Sequence, residues 1–153
     1  MNVPKDTFGY DSIGVIRTSF ESPDGMPIQP VGADSTEGTV ELDRSFADGL
    51  ADLDGFSHCI LLYHFHASGD DAPLSVEPFL DDEQRGVFST RAPQRPNPIG
   101  LSVVSVESIE GRELTVGGID VVDGTPLLDV KPFVPEFDVP SEIETGWMDA
   151  SES

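Results

Sequence analysis

A single all-β, barrel-like domain, mostly antiparallel strands with little helix, is predicted by three observations. Short runs rich in Val, Ile, Phe and Thr recur along the chain at fairly regular spacing. Turn-forming segments with Gly, Pro, Asp and Ser separate these runs and leave little uninterrupted sequence for a long helix. No strand–GxGxxG–helix unit occurs, which disfavours a Rossmann nucleotide site.

Taken in order, "GYDSIGVIRT" reads as a first strand, followed by the turn-rich "SPDGMPIQPVGADS". "GTVELD" is a second strand, and "RSFADGLADLDGF" holds at most a short helix ended by its glycines. The apolar run "HCILLYHFH" is too short for a typical helix and rich in aromatics, so it reads as a buried strand. Period-two alternation sends Cys59, Leu61, Tyr63 and Phe65 to one face and His58, Ile60, Leu62, His64 and His66 to the other. Residues 67–86 are acidic and Pro-containing, a loop. "GVFST", "LSVVSVESIEG", "RELTVGGIDVVDG" and "PLLDVKPFV" read as the remaining strands, with a hairpin turn at Glu110-Gly111. Residues 1–139 are expected to form the barrel, and residues 140–153 an acidic, mobile C-terminal tail.

Asp and Glu outnumber Lys and Arg by 29 to 8, for a formal charge of −21. Recurrent apolar runs argue against disorder. A solvated acidic surface with only Lys5 and Lys131 as lysines suits a high-salt cytoplasm, where a Debye length of about 3 Å at about 1 M suppresses self-repulsion. The same charge excludes indiscriminate nucleic-acid binding, which relies on Lys and Arg displacing counterions. An RNA partner would have to be recognised by shape and base from a local patch. No apolar run approaches the ~18 residues of a membrane span, and "MNVPKDTFGY" has no signal-like apolar core, so a cytoplasmic protein with no membrane or DNA partner is expected. Cys59 is the sole cysteine, which excludes an internal disulfide framework.

Several residues could carry chemistry. His64 and His66 at i and i+2 could ligate a metal, but no second His or Cys cluster completes a site, so no metal is expected. They read instead as polar residues on a partly solvated face, with His66 also placed to serve a ligand pocket. "IDVVDGTPLLD" partly matches a phosphatase signature, yet Val121 stands where the nucleophile belongs, and Asp123-Gly124 reads as a turn. Asp129 lies among apolar neighbours with Lys131 at i+2, so an ion pair could offset its burial. In "STRAPQRPNPIGLS", Pro93, Pro96 and Pro98 hold Ala92, Arg95 and Asn97 out of helix. The result is a stiff loop presenting Arg91 and Arg95, whose guanidinium groups suit carboxylate, phosphate or base recognition. Pairing of these arginines with nearby acids is the competing reading.

"VFSTRAPQRPNPIGLS" followed by "GIDVVDGTPLLDVKPFVP", with "IGVIRT", "GMPIQP" and "FSHCILLYHFH" in order before them, closely resembles the TrmO family, also called TsaA or YaeB-like. The resemblance covers roughly residues 10–138. It implies an S-adenosylmethionine-dependent tRNA methyltransferase with a β-barrel distinct from Rossmann and knotted types, and usually a homodimer. It implies methylation of N6 of N6-threonylcarbamoyladenosine beside the anticodon. Cofactor positions would fall on Pro27, Ile28, Gln29, His66, Ala67, Arg91, Leu101, Gly117, Gly118, Ile119 and Asp120. Bacterial members often carry Arg at position 28 and Gln at position 67, where this chain has Ile28 and Ala67.

On this reading, the acceptor nitrogen must lose a proton, and Asp129 or Asp123 is the expected catalytic acceptor. Arg95 or Lys131 would take the substrate's threonyl carboxylate, and Asn97 would position the base. Two other functions stay open: a cofactor- or nucleotide-binding module without this RNA activity, and a metal-dependent hydrolase built on Asp120, Asp123, Asp129 or the histidines.

Overall fold

The structure, a computed structural model, describes residues 6–21, 36–78 and 82–151. Six strands close into an antiparallel barrel in the order β1-β2-β7-β6-β3-β8. They are β1 (Gly14–Arg17), β2 (Glu37–Leu42), β3 (His58–His64), β6 (Ile99–Glu110), β7 (Glu113–Gly117) and β8 (Thr125–Pro132). β4 (Ser75–Val76) and β5 (Arg85–Gly86) pair apart from the barrel, within the acidic segment expected to be loop. Among the described residues, no helix is long and apolar enough to cross a membrane.

The alternation expected in β3 is observed: Cys59, Leu61 and Tyr63 are buried, while His58 and His64 are exposed. With Ile16, Val40, Val104, Leu114, Val116 and Leu127 they fill the barrel interior. Fully burying each such aliphatic side chain stabilises the fold by about 1.5–3 kcal/mol relative to leaving it exposed. Burial also pushes the Cys59 thiol up to about 11, which leaves it protonated and unreactive at neutral pH.

β6 is long because it serves two neighbours. Residues 99–105 pair with β3, and residues 105–110 pair with β7. The β6–β7 hairpin closes through Gly111-Arg112, with Gly111 at φ 61° and Arg112 at negative φ, the pattern of a turn with glycine first.

One expected strand differs from the structure. "GVFST" is not a strand: Val87–Ser89 form a 3₁₀ turn. The Ser89 and Thr90 hydroxyls donate to the Gly86 and Val87 carbonyls at 2.8 Å, and such local bonds compete with strand pairing. "RSFADGLADLDGF" forms two 3₁₀ turns, Arg44–Leu50 and Leu53–Gly55, the first capped by the Asp43 carboxylate. Beyond β8 lie α1 (Pro135–Asp138) and α2 (Trp147–Ser151). The tail reaches residues 85–89: the Trp147 indole N–H donates to the Ser89 carbonyl at 2.9 Å.

Candidate functional site

Two loops meet where β3 ends and β8 begins. The first, residues 118–124, leaves β7 through Gly118 at φ 76°, a conformation that a residue with a Cβ rarely adopts. Ile119 and Val121 are buried in the core, so the extended backbone between them leaves Asp120 and Val122 half-buried at the surface. The Thr18 hydroxyl donates to the Val121 carbonyl at 2.7 Å, and Gly124 N–H donates to Ile16 at 2.9 Å. Asp123 belongs to this bracing, because its Oδ1 accepts the Thr18 amide at 3.0 Å.

Asp120 is fixed from beneath. Its Oδ1 accepts the Ser102 hydroxyl at 3.0 Å, and Ser102 Oγ lies 2.8 Å from the Tyr63 hydroxyl. Ser102 has one hydroxyl proton, so once it is given to Asp120 the Tyr63 O–H is left as donor to Ser102. The chain Tyr63–Ser102–Asp120 is thus polarised toward the carboxylate. Burial pushes the Tyr63 phenol up to about 12; the Ser102 bond lowers it, the Asp120 charge raises it and the Arg91 charge lowers it. Tyr63 therefore remains a neutral donor near pH 7, and the charges of Arg91 and Asp120 act on the same hydroxyl.

The second loop carries Arg91. Val87 anchors it in the interior, and its amide donates to Leu74 at 2.9 Å. Arg95 Nη1 donates to the Thr90 carbonyl at 2.9 Å and to the Ala92 carbonyl at 3.2 Å, so this guanidinium braces its own loop. Gln94 Nε2 ties the loop to the Ser68 carbonyl at 2.9 Å, and the Phe65 amide bonds the Pro98 carbonyl at 2.8 Å. Arg91 itself is exposed.

Between the loops is a cavity of about 100 Å³ lined by Tyr63, Phe65, His66, Ala67, Pro93, Asp120 and Val122 among others. The Tyr63 and Phe65 rings meet edge to face, with centroids 5.5 Å apart. Ligand sites for drug-sized molecules run to about 300–1,000 Å³, so this recess suits one moiety of a ligand, with the rest across the open rim.

The expected residues fall into distinct groups. His66, Ala67 and Asp120 line the cavity, Arg91 is outside its lining but its charge acts on the Tyr63 hydroxyl, and Gly117, Gly118 and Ile119 set the path of the chain into Asp120. Pro27, Ile28 and Gln29 lie outside the described residues. Leu101 is on β6 but its side chain is on the outer face, opposite in parity to Ser102. Asn97 is exposed at the turn into β6, its carbonyl accepting the Ile99 amide at 2.7 Å.

Asp129 and Lys131 do pair, at 3.1 Å, but on the outside of the barrel, their side chains 47% and 58% exposed. The register slips between Leu62↔Asp129 and Tyr63↔Leu127, so Leu128 is extra and side-chain parity inverts beyond it. Leu127 is buried, Val130 packs against the core, and Asp129 faces away. An exposed pair of this kind contributes ~1 kcal/mol or less. Asp129 instead borders a larger cavity of about 430 Å³ at the other end of β8, walled by Leu42, Phe46, Leu50, Phe56 and Val130.

Tyr63 and Ser102 carry the site without standing out in the sequence. The available signal was a serine at an inward-facing position between Gly100 and Val104, because a buried hydroxyl requires a partner. Among the described residues, no three His, Cys, Asp or Glu side chains converge as a metal site would need.

Residues 15–139 match the family model described as tRNA-methyltransferase O N-terminal domain. A Pyrococcus abyssi protein named probable S-adenosyl-L-methionine-binding protein is 49% identical over 92% of this chain and 76% of its own length. A Rattus norvegicus tRNA (adenine(37)-N6)-methyltransferase is 35% identical over 88% of the chain but 32% of its own length. The crystal structure of TrmO from Pseudomonas aeruginosa superposes with a TM-score of 0.78 and 38% identity, covering 93% of this chain and 63% of that one. The chain thus spans three quarters of the first relative and a smaller share of the other two.

Proposed function

The chain belongs to the tRNA-methyltransferase O N-terminal domain family, and from that premise we propose that it binds S-adenosylmethionine in the recess beside Asp120 and methylates N6 of N6-threonylcarbamoyladenosine in tRNA. The observation that carries this reading is the Asp120 carboxylate, oriented by Ser102 and Tyr63 at the wall of the recess, with the charge of Arg91 on the adjoining loop acting on the same Tyr63 hydroxyl. The opposite charges of Asp120 and Arg91 complement a zwitterionic amino-acid group, and the Tyr63 and Phe65 side chains in the wall complement an apolar moiety.

Bound there, S-adenosylmethionine supplies a methyl group activated by its sulfonium charge. The chain's own part is alignment: a near-attack separation of about 3–3.5 Å between donor and acceptor accounts for much of the acceleration available to such a transfer. Arg91 binds the carboxylate of the donor's amino-acid portion. Asp120, fixed by the hydroxyl chain, accepts hydrogen bonds from the ammonium group or ribose. Pro93, Phe65 and Tyr63 exclude water from the recess. Asp123 is held by the Thr18 amide and Asp129 lies on the outside of the barrel, so neither of these carboxylates borders the recess. Arg95 acts on the substrate side through the loop that it braces, with Asn97 as an outer contact for the modified base.

The test is a melting curve with and without S-adenosylmethionine, joined to mass analysis of nucleosides from incubated tRNA. At a ligand concentration of about a hundred times Kd the stabilisation is about 2.7 kcal/mol, or roughly 5–10 °C in Tm for a domain of this size. A shift with methylated N6-threonylcarbamoyladenosine supports the proposal. A shift without methyl incorporation supports a binding module, and no shift at saturating ligand rejects both. Run at low and at multimolar KCl, the same curves read the proposed adaptation to a salty cytoplasm. Tm should rise with salt, since a charge of −21 repels itself less when screened, and equal values would end that idea.

The proposed quaternary state is a homodimer through the outer face of β3 and β6. Ile99, Leu101 and Val103 are 48%, 40% and 39% exposed there, and Leu101 and Val103 pair in register with Leu62 and Ile60. On β8 the flanking charges are Asp129 and Lys131, which neutralise one another. On so acidic a surface, this carboxylate-free stripe is where two like-charged copies approach at least cost. Val103→Glu is expected to turn the dimer into a monomer by light scattering; a wild-type chain that is already monomeric at micromolar concentration would reject this interface.

A further inference from the structure

The feature that the proposed function leaves unused is the contact between the end of the chain and the base of the Arg91 loop. Trp147 is the chain's one tryptophan. Its indole N–H donates to the Ser89 carbonyl at 2.9 Å, across 58 residues of sequence. The Arg85 guanidinium lies 5.7 Å from the indole centroid, within cation–π range. The turn that presents the ring is itself tied locally. The Met148 and Asp149 amides bond the Thr145 and Gly146 carbonyls at 3.0 and 3.2 Å, and the Thr145 hydroxyl donates to the Asp149 carboxylate.

Ser89 stands two residues before Arg91. Downstream of Arg91 the loop is restrained by Gln94 on Ser68 and by Arg95 on Thr90 and Ala92. Upstream, Val87 is buried and its amide bonds the Leu74 carbonyl, while the hydroxyl bonds of Ser89 and Thr90 stay within the 3₁₀ turn. The indole N–H adds a hold at Ser89 itself: it grips that peptide from outside, closer to Arg91 than Val87. The tail brings little apolar burial of its own, with Val139, Ile143 and Met148 all substantially exposed. Its docking therefore serves the loop more than the core.

We propose that Trp147 is a positioning residue for the cofactor site, clamping Ser89 so that the Arg91 guanidinium faces the recess beside Asp120. This rests on the reading of that recess as the S-adenosylmethionine site. A long arginine whose upstream backbone is held only as far back as Val87 must be ordered further when ligand binds, and that ordering weakens affinity. A loop already clamped avoids the cost. The prediction separates affinity from stability: loss of the clamp should weaken binding while leaving the barrel intact.

The experiment uses the full chain as wild type, Trp147→Phe, which keeps a ring over Arg85 but loses the N–H, and Trp147→Ala, which loses both. Calorimetric titration with S-adenosylmethionine gives Kd, and melting without ligand gives stability. Trp147→Phe should raise Kd about threefold to tenfold, the effect of one lost hydrogen bond, and Trp147→Ala by at least as much. Ligand-free Tm should move by less than about 2 °C, as for a substitution outside the barrel core. In the wild type, Trp147 emission should change on titration with ligand, because the clamp tightens as Arg91 is engaged. Kd within twofold of wild type in Trp147→Ala overturns the proposal. So does a fall in ligand-free Tm that accounts for the weakened binding, since Trp147 would then be a structural residue only. Absence of binding in the wild type is a separate result: it removes the cofactor assignment itself, and this inference with it.

Discussion

Replacing Arg91 by alanine is expected to remove most of the rise in Tm that S-adenosylmethionine produces, while leaving the ligand-free Tm unchanged. Arg91 is exposed on a loop whose anchors are other residues, Val87, Gln94 and Arg95, so the fold loses nothing by its truncation. A hydrogen bond to a charged group contributes about 1.5–3 kcal/mol, which is about tenfold to a hundredfold in Kd. At a concentration that saturates the wild type about a hundredfold, the ligand's stabilisation would fall from about 2.7 kcal/mol to between about 1.4 and 0.4. Arg91→Lys should recover only part of it, because a single ammonium cannot reproduce the paired donors of a guanidinium. An undiminished shift in Arg91→Ala would move the carboxylate-binding role elsewhere.

The second large effect is expected at Gly100, which is buried where β6 passes the aromatic pair. A Cβ built there overlaps the Tyr63 ring at Cε2, and lies 2.6 Å from Phe65 Cζ and 2.8 Å from Tyr63 Cζ. Gly100→Ala must therefore displace Tyr63, which takes its hydroxyl away from Ser102, or push β6 away from β3. Overpacking of this kind costs about 1–3 kcal/mol, so Tm should fall by roughly 3–10 °C. Unlike Arg91→Ala, it should lower stability and cofactor affinity together, because one clash disturbs both the core and the support of Asp120. If Gly100→Ala melts within about 2 °C of wild type and binds normally, the packing of Tyr63 against β6 is looser than described here.

Much of the barrel could be read from the chain, because period-two burial is written directly into residues such as Cys59, Leu61 and Tyr63. What could not be read was any feature that depends on an irregularity. The extra residue at Leu128 reverses the facing of Asp129 and Lys131, and nothing in "PLLDVKPF" marks it. The sequence paired these two correctly, since i and i+2 share a face on either reading, but put them on the wrong side of the wall. "GVFST" has strand-like composition, yet hydroxyls at Ser89 and Thr90 turn it back on itself. The multi-residue motifs pointed to Asp120, His66 and Ala67, which line the recess, and to Arg91 on the adjoining loop. Ser102 and Tyr63 were not, because a hydroxyl network is a relation between strands. Trp147 was passed over for the same reason: its partner lies 58 residues away.

Closure of the barrel has a consequence for a molecule so rich in acids. In dilute buffer, mutual repulsion between highly charged copies keeps them apart, but concentrated electrolyte abolishes that safeguard. Each of the six barrel strands already has a hydrogen-bonded neighbour on both sides, so the ring offers no raw selvedge onto which a foreign strand could knit. Resistance to clumping is thereby entrusted to topology, a protection that no amount of salt can dissolve.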